Sequence, residues 1–356
     1  MYALIMAGGL GTRFWPKSRK KHPKQLLRIL GDKTLIQDTV DRLHPLIEDD
    51  RMFVVSTKEQ FKEMRKQLPT LPESNFIIEP KGKNTAPCIG LAALFIERLD
   101  PDGVMVVLPA DHLISDNKMF HKTLRVGAKV AAETDSIVTI GIEPDYPATG
   151  YGYVQFDQEL QDVDGIPLLK VKTFAEKPNV ETARRFLSSG DFLWNSGIFI
   201  WKTKTIFNEI EENLPQLYDG LLEIRAAIGS PEEEETIHRV YCQIRSISID
   251  YGVMEHAKDV KVLRGSFGWN DLGSWDEVYK LGEKDKNGNV LIGEHLLKDS
   301  SGCLVDAPGK CVALLGLEDI LVIDTGDAIL ICPRDRAQDV KEVVDLAKRK
   351  KMYKYL

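Results

Sequence analysis

The sequence predicts an α/β protein, a mostly parallel sheet covered by helices on both faces, followed by a small β-rich domain. Short apolar runs alternate with helical stretches through the first part of the chain, the pattern of strand-helix-strand units. After residue 150 the rhythm becomes more antiparallel, and beyond about residue 283 it shortens to small strands separated by turns rich in Gly, Asp and Pro. A chain of 356 residues also exceeds the ~300 residues at which single cores stop growing. Two domains are therefore expected, 1–282 and 283–356.

Tyr2 to Ala7, Met52 to Ser56, Phe76 to Glu79, Val104 to Pro109 and Ile137 to Ile142 read as the strands of the first part. Asn84 to Leu99 reads as an intervening helix, with Ile89, Ala92, Ala93 and Ile96 on one side and Asn84 or Thr85 available as the N-cap. Tyr151 to Asp157 and Leu168 to Glu176 form the antiparallel insertion before a strand at Gly197 to Trp201. The insertion is expected to wall a pocket. Ser230-Pro231 followed by four glutamates reads as a helix start, since a cap, a first-turn proline and acidic residues suit that end of the dipole. Gly302 to Asp306, Cys311 to Leu315, Ile320 to Ile323 and Ala328 to Cys332 are the small strands, and a final helix from about Arg336 ends in Lys348-Arg349-Lys350-Lys351. That basic run complements the helix dipole, with a nucleic-acid tail left open.

Composition narrows the function classes. With 43% hydrophobic and 28% charged residues, the chain has the make-up of a soluble globular protein and neither a disordered nor a collagen-like one. Its longest apolar runs fall well short of the ~20 residues that cross a bilayer. The N-terminus lacks a basic leader and runs into a glycine-rich turn, so it reads as a first strand and the expected location is cytoplasmic. A net charge of -7 argues against general nucleic-acid binding. Five cysteines, scattered and without a C-x-x-C pair, indicate neither a disulfide framework nor a zinc site. They are expected to be buried thiols.

The strongest chemical signal is Gly8-Gly9-Leu10-Gly11-Thr12-Arg13-Phe14-Trp15-Pro16, directly after the first strand, with Pro23-Lys24-Gln25 downstream. Glycines let backbone N–H groups close on phosphate oxygens, and Arg13 and Lys24 can neutralise a triphosphate. The P-loop spelling, ending in Gly-Lys-Ser/Thr, is absent, and the dinucleotide fingerprint would place a glycine where Phe14 stands. On its own the segment also fits a tight turn among solvated lysines.

The string Gly-Gly-x-Gly-Thr-Arg-x-Trp-Pro-x-Ser-Arg followed by Pro-Lys-Gln resembles the signature of the sugar-phosphate nucleotidyltransferases. Its Trp15-Pro16 and Ser18-Arg19 details resemble the mannose-1-phosphate guanylyltransferase branch. Further matches follow in order: Asn84-Thr85-Ala86-Pro87, Pro109-Ala110-Asp111-His112, Thr149-Gly150-Tyr151-Gly152-Tyr153, Phe174-Ala175-Glu176-Lys177-Pro178, Asn195-Ser196-Gly197-Ile198-Phe199, Ser248-Ile249-Asp250-Tyr251 through Glu255, and Gly268-Trp269-Asn270-Asp271-Leu272-Gly273. Lys83, Cys88 and Ala175 depart mildly from the branch. The resemblance implies a Rossmann-like nucleotidyltransferase domain to about residue 282 and a small left-handed β-helix-like domain after it.

It also implies roles. Gly8, Gly9, Gly11, Thr12, Asn84 and Thr85 would line the nucleotide side, with Gly150, Glu176, Lys177 and Asn195 on the sugar side. Arg13, Lys24, Asp111, Lys177 and Asp271 would be catalytic, and Asp111 with Asp271 would hold Mg²⁺. From the local residues alone, Asp111 is equally readable as a helix cap at the C-terminal end of a buried strand, Asp271 as a turn residue, Glu176 and Lys177 as a solvated pair, and Asn195 as a cap. The implied reaction joins GTP to mannose 1-phosphate, forming GDP-mannose and pyrophosphate. Two alternatives stay open: glucose 1-phosphate with dTTP or ATP, and a non-catalytic regulatory subunit of the same fold. Retention of the full charged set disfavours the second. His112 is left out, because a sugar phosphate with a second pKa near ~6 needs no general base. Neither a nucleic-acid nor a membrane partner is implied, and family habit leaves a homo-oligomer open.

Overall fold

The computed structural model describes residues 1–9 and 11–356; Leu10 of the glycine motif lies outside the described residues. The chain divides into two compact units, one of residues 1–8, 40–110 and 114–269, the other of residues 9–39, 111–113 and 270–356.

The first unit is built on a nine-stranded sheet. Its strands are β1 Tyr2–Met6, β2 Met52–Thr57, β3 Phe76–Glu79, β4 Val104–Pro109, β5 Ile137–Ile142, β6 Gly152–Val163, β7 Ile166–Glu176, β8 Phe192–Lys202 and β9 Val260–Gly265, in the order β3-β2-β1-β4-β8-β5-β9-β7-β6. The β3-β2-β1-β4 side is parallel, with Leu4 opposite both Phe53 and Val107. β8 runs antiparallel to both β4 and β5, so the sheet is mixed where the insertion returns to it. The insertion is a hairpin of β6 and β7, turned at Asp164-Gly165. Both of these residues have positive φ, as a tight Asp-Gly hairpin turn requires.

The expected helix is present as Thr85–Leu99, capped by Asn84, whose side-chain oxygen accepts from Thr85 N at 2.9 Å. Its Ile89 and Ala92 join Leu4, Val107 and Trp201 in the main core of this unit. The acidic run opens a helix at Glu233–Gln243, where the Glu233 carboxylate accepts from Gly229 N. That bond makes it helix punctuation.

The second unit carries strands β10 Val290–Lys298, β11 Leu304–Leu315, β12 Ile320–Asp324 and β13 Ile329–Pro333 in chain order, parallel except for the last pair. The two strands expected at 302–306 and 311–315 are one, β11. Pro308-Gly309 inserts a bulge, visible as the jump from Ile292 opposite Asp306 to Glu294 opposite Cys311, and the pairing resumes beyond it. The compact units do not follow chain order. Phe14, Ile29 and Leu35 share a core with Trp275, Leu304, Leu321 and Val340, which draws the segment 9–39 into the C-terminal unit. The final helix spans Val340–Arg349, after a short turn at Arg334–Asp339.

The cysteines depart from expectation. All are free thiols, but only Cys88 and Cys303 are buried; Cys242 and Cys311 are exposed. Among the described residues, no helix is long and apolar enough to cross a membrane.

Candidate active site

In the second unit the glycine motif turns sharply into the short helical turn Thr12–Phe14, where Phe14 N bonds Gly11 O at 2.8 Å. Gly11 has φ 59°, and a Cβ there would lie 2.4 Å from Lys24 Cβ. Only glycine lets the loop close over Lys24 in this way. Gly8 and Gly9 have open space where a side chain would project, leaving their backbone bare. Phe14 packs its ring 5.0 Å from that of Trp275, anchoring the loop to the core.

Four of the expected side chains converge here. Arg13 Nη1 donates to Gly273 O at 2.8 Å. Lys24, only 6% exposed, donates from Nζ to Asp111 Oδ2 and to the Asp271 carbonyl, each at 2.7 Å. The Asp271 carboxylate lies beside Gly273, whose missing Cβ would sit 3.0 Å from Asp271 Oδ2 and 3.4 Å from Arg13 Nη1. Gly11, Thr12, Arg13, Lys24, Asp111 and Asp271 all line one cavity of about 320 Å³. Burial pushes the Asp111 carboxyl up, but the Lys24 charge and hydrogen bond, helped by His112, hold it below the ordinary carboxylate range. His112 also lines the cavity.

These residues suit a magnesium ion shared with phosphates. No cluster of three or more His, Cys, Asp or Glu able to hold a metal occurs among the described residues. Two carboxylates in one polar cavity match Mg²⁺, which takes few protein ligands and completes its shell with phosphate oxygens and water.

The first unit holds the other expected residues. Glu176 ends β7, and the next residue, Lys177, adopts φ 46° and ion-pairs with Glu176 Oε1. Gly152 has room for no side chain, since a Cβ there would lie 2.4 Å from Glu176 Oε2. Asn195 sits where β8 bulges against β5, the register passing from Thr139 opposite Phe199 to Gly141 opposite Asn195. Its Oδ1 accepts from Gly197 N at 3.0 Å and its Nδ2 donates to Asp250 Oδ1 at 2.8 Å. Gly150 is exposed with open space around it. It precedes a knot of aromatic rings in which Tyr151 lies 5.0 Å from Trp194 and 5.4 Å from Trp269. On the nucleotide side Asn84 caps its helix, and the Thr85 hydroxyl accepts from Ile249 N at 2.7 Å.

Sequence reasoning missed Asp250. Burial, then the nearby Glu176 carboxylate, pushes its carboxyl up to about 6. The signal was its place inside the Ser248 to Glu255 motif, but nothing local tied that motif to Asn195.

The mixed sheet and glycine-loop cavity define a nucleotidyltransferase: residues 2–288 match the nucleotidyl transferase family, and residues 293–346 match the MannoseP isomerase/GMP-like beta-helix domain. The chain is 38% identical over 355 residues to the mannose-1-phosphate guanylyltransferase of Klebsiella pneumoniae, covering 99% of this chain and 75% of that one. It is also 38% identical to the alginate biosynthesis protein AlgA of Pseudomonas aeruginosa over 353 residues, covering 97% of this chain and 71% of that one. The crystal structure of the mannose-1-phosphate geranyltransferase from Thermus thermophilus superposes with a TM-score of 0.87 at 32% identity, covering 98% of this chain and 99% of that chain. The chain belongs to the mannose-1-phosphate guanylyltransferase family, and is an enzyme of the nucleotidyltransferase class.

Proposed function

We propose that the chain transfers GMP from GTP to mannose 1-phosphate, releasing GDP-mannose and pyrophosphate. An oxygen of the sugar phosphate attacks the α-phosphorus in line. A new P–O bond forms as the bond between the α-phosphorus and its bridging oxygen breaks, and the electron pair departs on pyrophosphate. The attacking oxygen is already largely ionised, since its second pKa is near ~6. Catalysis is then positioning plus charge stabilisation.

In this reading Arg13 and Lys24 stabilise the leaving pyrophosphate, and Arg13, anchored on Gly273, presents donors already oriented. Gly8, Gly9, Gly11, Thr12, Asn84 and Thr85 bind the nucleotide. Lys177 clamps the incoming phosphate, while Gly150, Glu176 and Asn195 take the sugar. Mg²⁺ held by Asp111 and Asp271 would neutralise charge on the phosphates. The observation that supports this assignment best is the convergence of Arg13, Lys24, Asp111 and Asp271 on one cavity.

The test is a matrix of nucleoside triphosphates against sugar 1-phosphates, scored by pyrophosphate release with Mg²⁺. GTP with mannose 1-phosphate is expected among the best pairs. Preference for glucose 1-phosphate with dTTP or ATP would overturn the substrate assignment and leave the reaction class standing.

A further inference from the structure

The segment Ile247–Asp250 touches residues assigned to both substrates. At one end Ile247 N donates to Lys83 O at 3.2 Å, Ala86 N donates to Ile247 O at 3.1 Å, and Ile249 N donates to the Thr85 hydroxyl at 2.7 Å. At the other end the Asp250 carboxylate accepts from Asn195 Nδ2 at 2.8 Å. Because Asn195 Oδ1 is also committed, to Gly197 N, the amide is held at both ends and its orientation is fixed.

Asp250 opens a π-helical turn, Asp250–Met254, whose last three residues are buried. Such turns are rare and recur at functional sites. Its carboxyl is half-buried beside Glu176, a costly place for a second carboxylate unless it has a task or a donor. The Asn195 amide is the donor.

We propose that Asp250 is a positioning residue for the sugar 1-phosphate, orienting the Asn195 amide and, through its segment's bonds to Lys83, Thr85 and Ala86, coupling nucleotide binding to sugar binding. The proposal rests on the functional reading above. Asp250 acts through Asn195, with no contact of its own to the reacting atoms. Binding of nucleotide against the Asn84-Thr85 helix start stiffens the segment, and the stiffened segment holds Asn195 ready for sugar hydroxyls. Linkage makes this reciprocal: bound sugar phosphate tightens nucleotide by the same factor.

The experiment measures mannose 1-phosphate affinity by calorimetry with and without α,β-methylene GTP, together with KM and kcat, for the wild-type chain and D250A, D250N and T85V. D250A should raise KM for mannose 1-phosphate by about tenfold, the scale of one hydrogen bond to a charged group, while changing kcat and nucleotide affinity by less than about threefold. The nucleotide-dependent gain in sugar phosphate affinity should vanish. D250N keeps an acceptor oxygen and should recover most of the loss. T85V removes the other anchor; measured with the GTP analogue raised until it saturates the variant, it should abolish the coupling while leaving intrinsic mannose 1-phosphate affinity intact. Should D250A not fold, D250L, close in shape and without an acceptor, replaces it. Wild-type KM and coupling in the alanine or leucine variant, or equal weakening of both substrates, overturns the assignment. So does a D250N as impaired as D250A. Wild-type turnover is measured first: its absence overturns the functional reading, whereas its presence leaves only Asp250 at stake.

Discussion

Lys24 Nζ lies 2.7 Å from Asp111 Oδ2 and 2.7 Å from the backbone carbonyl of Asp271, so one buried ammonium ties together the two segments that carry the proposed metal ligands. Lys24 is thus already paired before any triphosphate arrives. Its contact with Asp111 favours the ionised carboxylate, and in the proposed reaction the same ammonium would place positive charge where pyrophosphate leaves.

Replacing Lys24 by Ala should lower kcat by about a hundredfold, the usual cost of removing one preorganised charge-stabilising donor, with a smaller rise in KM for GTP. It should also move the acid limb of the rate profile to higher pH. In the wild type the Lys24 charge holds the Asp111 carboxyl below its ordinary value against the effect of burial. The stabilisation this gives is complete above the unfolded carboxylate pKa near ~4 and is lost as pH falls through the lower folded value. Without Lys24, burial acts unopposed by that charge and the carboxyl protonates at higher pH. Initial rates of the wild type and K24A across about pH 3.5 to 9 check both effects. An unchanged kcat with only a raised KM would show that Lys24 merely binds ground-state nucleotide.

Asp111 and Asp271 should behave as one unit if they share Mg²⁺. Either Asp→Asn change should remove most metal-dependent activity, and the double change should cost little more than the worse single one, because groups acting through one ion are not additive. Turnover across a Mg²⁺ titration for the two single variants and the double decides this. Independent, multiplying losses with an unaltered metal dependence would separate the two aspartates.

Lys177 should matter to one substrate only. Lys177→Ala is expected to raise KM for mannose 1-phosphate by at least about tenfold, as loss of a charge-assisted phosphate contact does, and to leave GTP affinity near that of the wild type. Steady-state kinetics with each substrate varied in turn measures this. An equal loss for GTP would place Lys177 on the nucleotide side.

The parts legible in sequence were those written in local spacing. The strands at 76–79, 104–109 and 137–142 follow from buried apolar runs, and the Asn84 cap follows from its residue type. Arg13, Lys24, Asp111 and Asp271 were named from motifs, but their convergence depends on Phe14, Leu35 and Trp275 packing in a common core, which no local pattern encodes. β11 reads as two strands in sequence because Pro308-Gly309 has the spelling of a turn, whereas the strand absorbs it as a bulge. Asp250 stayed hidden because its partner Asn195 is 55 residues away, as did the pairing of Glu79 with Tyr241, which are 162 residues apart.

That last pair makes the stability of the first unit depend on pH. Glu79 ends β3 with 4% exposure, and its Oε1 accepts from the Tyr241 hydroxyl at 2.7 Å. Burial pushes its carboxyl up to about 7, the Tyr241 bond offsetting only part of the effect. The native state therefore holds a proton that the unfolded chain has released between the ordinary glutamate value and about 7. Stability falls as pH rises through that window and levels off above it, the reverse of a salt-bridged carboxylate. Glu79→Gln keeps an acceptor for Tyr241 and removes the titration. At pH 8 the variant should gain up to about 3 kcal/mol over the wild type, relative to their difference at pH 4.5, from a shift worth 1.36 kcal/mol per unit. Urea unfolding of both proteins at several pH values between 4.5 and 8 measures the difference. Stability curves that run parallel across this range would mean that Glu79 does not carry its proton into the folded state.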